Sequence, residues 1–137
     1  MNNRYIFRGK RKDNGEWIEG YYVCNGEHCY IFSGKLGIIN KSFDWERYEV
    51  IPETVEQCSG VSDKNGKWIF EGDIVKDKES GLFGKVIFTT AADGFDGMTG
   101  FMVDDVDDGL QNYNGFWHLV EVIGNIYDNP ELLEASR

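Results

Sequence analysis

No apolar run among these 137 residues approaches the roughly 20 needed to cross a bilayer as a helix. The opening Met1-Asn2-Asn3-Arg4-Tyr5 has no apolar core of the kind a secretory leader carries. Cysteine is scarce: Cys24, Cys29 and Cys58 are the three present. An odd count without a leader reads as reduced thiols in a soluble, cytoplasmic protein. Basic residues are outnumbered 14 to 24, giving a net charge of −10. The deficit is uneven, because residues 1–60 balance at −1 and residues 61–137 at −9. Phosphate binding needs local positive potential. Arg8-Gly9-Lys10-Arg11-Lys12 is the one basic run, so nucleic acid is disfavoured as a partner, with those four cations as its candidate contacts. Proline occurs twice and glycine 17 times, which suits many short strands joined by turns.

What the chain does have is a copy of part of itself. Asn14-Gly15-Glu16-Trp17-Ile18-Glu19-Gly20-Tyr21-Tyr22-Val23 parallels Asn65-Gly66-Lys67-Trp68-Ile69-Phe70-Glu71-Gly72-Asp73-Ile74-Val75, with Phe70 as one extra residue. Each copy reads as a turn, a short strand, a second Gly turn and another strand. Asn-Gly tolerates the positive φ that a hairpin turn demands, and Gly20 allows a bulge. A first strand is expected over Tyr5–Arg8 and a return strand over Trp17–Val23. A second hairpin joins Tyr21–Cys24 to Cys29–Phe32 around Asn25-Gly26-Glu27-His28. Further strands are expected over Leu36–Asn40, Phe43–Ile51, Leu82–Thr89 with an interruption at Gly84, and Phe116–Ile126, the longest. Asp104–Gly109 reads as an acidic turn. Asn129-Pro130-Glu131-Leu132-Leu133-Glu134 reads as a helix start, with Asn129 as cap and Pro130 at the first helical position.

No catalytic constellation stands out. Cys24, His28 and Cys29 look like half a zinc site, but a second closely spaced ligand pair is missing, so two hairpin thiols packed on a sheet are expected and no metal or cofactor. Asp104-Asp105-Val106-Asp107-Asp108-Gly109 fails as a calcium loop because its third and twelfth positions hold Val106 and Gly115. His28 and His118 lie in no motif. The carboxylates are many, but no spacing selects an acid–base pair. Glu71-Gly72-Asp73-Ile74-Val75 reads structurally: Gly for the turn, Asp for local backbone bonds, Ile and Val for the strand.

Three segments together resemble the YopX family of phage and prophage proteins. Phe7-Arg8-Gly9-Lys10 is similar to its opening. The stretch from Gln57 through Asn65, Gly66, Trp68, Glu71, Gly72 and Asp73 to Val75 is similar to its central signature. Val120 to Leu133, with Gly124, Asn125, Asn129 and Pro130, is similar to its closing one. Cys58-Ser59, Gly9 and Lys10 depart from the usual pattern. The resemblance implies a phage-derived, mainly β protein in the cytoplasm of the bacterial host, and it carries over no catalytic residues. The expected fold is a small β-barrel-like architecture of short strands with an internal hairpin repeat and a short C-terminal helix. One domain is expected over residues 1–137, with a hairpin lobe over about 1–56 and a barrel-like lobe over about 57–137. The expected role is a non-enzymatic accessory module that binds a protein partner or itself. The alternatives are a nucleic-acid-binding regulator using Arg8–Lys12 beside Trp17, Tyr21 and Tyr22, and an enzyme with a carboxylate pocket.

Overall fold

The computed structural model describes residues 5–33, 46–89, 100–106, 109–111 and 117–134. The expected strand over Leu36–Asn40 lies outside them. The chain forms two compact units, Met1–Cys58 and Ser59–Arg137. Among the described residues it is mainly β, with two antiparallel sheets and one short helix.

In the first unit, β1 (Phe7–Lys10), β2 (Trp17–Asn25), β3 (His28–Ser33) and β4 (Glu46–Val50) are neighbours in chain order. β2 does double duty. Its first half, Trp17–Gly20, pairs with β1, and its second half, Tyr21–Asn25, pairs with β3. The sheet curls enough for its outer strand to return to the first: Lys12 N–H donates to the Glu49 carbonyl at 2.9 Å and Ile51 N–H to the Lys10 carbonyl at 2.8 Å. It curls without closing as a barrel, so the barrel-like expectation holds only loosely. Alternation puts Phe7, Ile18, Tyr22, Cys29, Ile31 and Val50 on the concave side, with Val55 packed against them. Gly9 faces these side chains closely. A Cβ there would meet Val50 and Val55 at 3.2 Å and Ile31 at 3.3 Å. Gly20 is not a bulge: its register with Phe7 is regular, and a Cβ would run into the Phe32 carbonyl.

β5 (Glu56–Ser62) begins in the first unit, pairing with β1 through Glu56 and Gln57, and ends in the second beside β6 (Trp68–Phe70). The second unit's main sheet runs β10-β9-β8-β7-β11. Its strands are β7 (Asp73–Lys76), β8 (Phe83–Thr89), β9 (Gly100–Asp105), β10 (Gly109–Gln111) and β11 (Glu121–Asn125). Ile69, Val75, Leu82, Val86, Val103, Trp117 and Val120 are its buried core. Gly84 does not interrupt β8; its missing side chain admits the Asp104 carbonyl. Asp104 and Asp105 belong to β9, so the acidic segment opens as strand. The expected long strand from Phe116 starts only at Glu121. Trp117–Leu119 forms a 3₁₀ turn instead, because Trp117 turns into the core and its carbonyl accepts Val120 N–H at 3.2 Å. Helix α1 (Glu131–Glu134) follows Pro130. Asn129 does not cap it: the Asn129 Oδ1 accepts Asn125 N–H at 3.3 Å.

The two Asn-Gly copies share a left-handed glycine but differ in the length of their loops and in the strands that follow. Gly15 and Gly66 adopt φ of 73° and 81°. The first loop closes with Arg11 N–H on the Glu16 carbonyl, the second one residue tighter with Asp63 N–H on the Lys67 carbonyl, both at 2.8 Å. After Ile18 the first copy continues straight through Gly20 as strand. After Ile69 the second copy breaks at Glu71-Gly72, with Gly72 at φ 85°. Phe70, the extra residue, is buried at the end of β6.

Candidate binding face

The convex side of the first sheet collects aromatic side chains. Register and alternation place Trp17, Tyr21 and Val23 of β2, Tyr30 and Phe32 of β3, and Arg47 and Glu49 of β4 on it, with Arg8 and Lys10 of β1. Tyr21, Phe32 and Arg47 form one cross-strand row; Val23, Tyr30 and Glu49 form the next. Tyr21 and Val23 stay exposed at 40% and 52%. Trp17, Tyr30 and Phe32 are half-buried. Cations lie over the rings: Arg8 and Lys10 at 4.9 Å and 5.3 Å from the Trp17 centroid, and Arg47 at 4.8 Å from that of Tyr30. Tyr22 faces the other way and stacks near Phe7 at 5.4 Å.

The cations of the basic run meet different partners. Arg8 is buried and gives Nε and Nη2 to Glu56 Oε1 at 3.0 and 2.8 Å. Arg11 points to the concave side, lies 4.3 Å over the Tyr48 ring and grips Asp13 through two hydrogen bonds of 3.0 and 2.6 Å. This bidentate contact lowers the Asp13 carboxyl below its usual value and raises the Arg11 guanidinium. Lys12 Nζ and His28 Nδ1 both meet Glu49 Oε2, at 3.0 and 2.8 Å. Those two contacts, His28 first, hold the Glu49 carboxyl below its ordinary range. Arg11, Lys12, Asp13, Arg47, Tyr48 and Glu49 line a shallow groove of about 490 Å³ where β4 returns toward β1. The His28–Glu49 contact had no sequence signal, since 21 residues separate the two.

Cys24 and Cys29 are joined by a disulfide, which corrects the expectation of reduced hairpin thiols. The register explains it: they are directly opposed, one pair in from the turn. Cys58 is buried and unbridged. Among the described residues no three His, Cys, Asp or Glu side chains gather as a metal site. In the second unit, Lys85, Asp104, Asp105, Val106, Gly109, Leu133 and Glu134 line a groove of about 550 Å³. It has carboxylates, but Asp105 accepts Phe83 N–H at 3.1 Å, and none of these lining residues is a histidine or a hydroxyl or thiol nucleophile.

The segments around Asp63 and Gly124 meet. Asp63 is buried; its Oδ1 accepts Asn65 and Lys67 N–H at 2.8 and 2.9 Å, and its Oδ2 accepts Val122 N–H at 2.9 Å. Lys64 N–H donates to the Val120 carbonyl, Asn65 Nδ2 to Glu121 Oε1, and Ile126 N–H to the Gly72 carbonyl. Asp73 Oδ2 accepts Phe70 N–H at 2.8 Å and fixes the turn that carries Glu71 and Gly72. Asn125 Oδ1 accepts Tyr127 and Asp128 N–H. β7 and β11 then pair with a register shift between Val122 and Gly124. The family model described as YopX protein matches residues 6–134. The chain belongs to the YopX family. In this YopX chain the two longer stretches of resemblance, 57–75 and 120–133, thus meet within the second unit, where residues 63–72 and 120–126 interlock. No curated protein matches the chain.

Proposed function

We propose that this YopX chain is a phage-type accessory protein that acts by binding another protein through the convex face of its first unit. The observation that carries the reading is the cluster of Trp17, Tyr21, Tyr30 and Phe32 with Arg47 and Val23 on one sheet face. Trp, Tyr and Arg dominate protein–protein hot spots, since they present large, rigid area with a polar handle. The same cations serve a nucleic acid poorly. Arg8, Arg11 and Lys12 each already contact a carboxylate, and a phosphate would have to displace Glu56, Asp13 or Glu49 inside a chain of net charge −10.

The test is a paired capture from phage-infected host cells with the wild-type chain and a Tyr21→Ala/Tyr30→Ala variant. One protein should be retained by the first, lost by the second, and bind the purified wild-type chain directly in calorimetry. Equal capture by both chains refutes the assignment of this face. So does binding of single-stranded oligonucleotides at about 0.15 M salt that disappears in the variant.

A further inference from the structure

We infer that the Cys24–Cys29 bond is a reversible redox latch on the β2–β3 hairpin, opened by dithiol reductants. The two cysteines are five residues apart and directly opposed. Asn25 and His28 form the closing pair around the two-residue loop Gly26-Glu27. In an antiparallel ladder, closely and widely spaced pairs alternate, and the pair next to a hydrogen-bonded closing pair brings its Cα atoms nearest. The Cα atoms of Cys24 and Cys29 are 4.1 Å apart. The backbone therefore holds the two sulfurs together whether or not they are bonded, so oxidation requires no search.

The two ends of the bond differ in access. Cys24 is exposed, whereas Cys29 is 2% exposed and packs with Ile31 and Val50. An external thiolate reaches Cys24 Sγ. It forms a mixed disulfide there as the Cys24–Cys29 bond breaks, and the bonding electron pair leaves on Cys29 Sγ, which takes a proton. The reductant's second thiolate then attacks its own sulfur in the mixed disulfide and expels Cys24 Sγ, which is protonated in turn. Two electrons and two protons pass to the protein, and the dithiol leaves as its disulfide. The product is packable, because a neutral Cys29 thiol is a small apolar group among aliphatic neighbours.

The hairpin survives reduction. Its turn is set by Gly26 at φ 84°, and its closing residue His28 is tied to β4 by the 2.8 Å contact of Nδ1 with Glu49 Oε2, neither of which involves a sulfur. What changes is the freedom of the tip. Val23 and Tyr30, the next register pair inward, lie on the convex face, so the latch sets how rigid that end of the face is.

The experiment uses the full chain, dithiothreitol as the dithiol, iodoacetamide trapping with mass spectrometry, and amide hydrogen exchange. Oxidised protein should show one modifiable thiol, Cys58, and only after denaturation. After dithiothreitol, Cys24 should react natively about tenfold faster than Cys29 or Cys58. Amides of residues 23–30 should exchange about threefold or more faster, while those of β1 and β8 stay unchanged. Oxidised glutathione should restore the starting state. Cys24→Ser, which leaves Cys29 and its packing in place, should copy the reduced exchange pattern without reductant. The inference is overturned if Cys24 and Cys29 remain free thiols in oxidised glutathione. It is equally overturned if the exchange of residues 23–30 is the same in the oxidised, reduced and Cys24→Ser forms. These readouts involve no partner, so they stand apart from the binding assignment.

Discussion

Replacing Asp63 tests the interlock of the second unit most directly. Its carboxylate accepts three backbone N–H groups, from Asn65, Lys67 and Val122, at 2.8–2.9 Å. Hydrogen bonds to a charged group contribute about 1.5–3 kcal/mol each, and an orphaned buried donor costs about 1–3 kcal/mol. The donors are not equivalent. Asn65 and Lys67 lie in an exposed loop, where water can replace the lost acceptor. Val122 N–H is part-buried and tied to the β11 register. Asp63→Ala is therefore expected to cost about 3–5 kcal/mol. Asp63→Asn separates the two roles. Its amide oxygen can still serve Asn65 and Lys67, but its NH₂ then faces Val122 N–H, donor against donor. The expected cost is about 2–3 kcal/mol, concentrated at β11. Urea unfolding gives the energies. Hydrogen exchange at the Val122 amide, with Val75 in β7 as the reference, locates them. An Asp63→Asn protein within about 0.5 kcal/mol of wild type, or unchanged Val122 protection, would refute the reasoning.

Gly9→Ala should destabilise the first unit by about 1–3 kcal/mol through overpacking against Ile31, Val50 and Val55, read as a lower urea midpoint. Asp13 and Glu49 both titrate below their usual values of 3.8 and 4.5, so each adds stability that is complete above those values and fades as pH falls through the lower folded ones. Carboxyl NMR should show the Glu49 midpoint under 4.5, and His28→Ala should move it upward; no movement would remove His28 as the cause. Deleting residues 129–137 removes the half-buried Leu132 and Leu133 and the Asn129–Asn125 bond, and should lower the melting temperature by about 3–6 °C. An unchanged melting curve would make that segment dispensable.

The first two hairpins were legible because Asn-Gly, period-two alternation and strand-favouring residues all point the same way at Asn14–Val23 and Tyr21–Phe32. The repeat was legible as sequence but not as geometry. What decides whether Gly20 continues a strand or Gly72 ends one is the neighbour each meets, the Phe32 carbonyl in one case and a buried Phe70 followed by Asp73 in the other. Trp117–Leu119 read as strand because its residues are β-favouring; core burial of Trp117 overrode that preference. The convex face was half visible. Arg8, Trp17 and Tyr21 could be flagged from their neighbours in sequence, but Tyr30, Phe32 and Arg47 join them only through strand register. The disulfide was missed because compartment arguments weigh cysteine count, whereas its cause is local pairing.

The buried aspartates change what the chain's acidity means for anyone redesigning it. Asp63, Asp73, Asp77 and Asp105 are almost inaccessible, and each accepts at least one backbone N–H. Asp63, Asp73 and Asp77 hold turns, and Asp105 clips the Phe83 N–H of the neighbouring strand. A mutational tolerance map should therefore split the acids of residues 61–137 into two populations. Exposed ones such as Glu79 and Glu131 should accept lysine or glutamine readily. These four should reject both. An engineer recolouring the surface toward neutrality would have to leave them alone, and a designer copying only the charge count would reproduce the acidity without the turns.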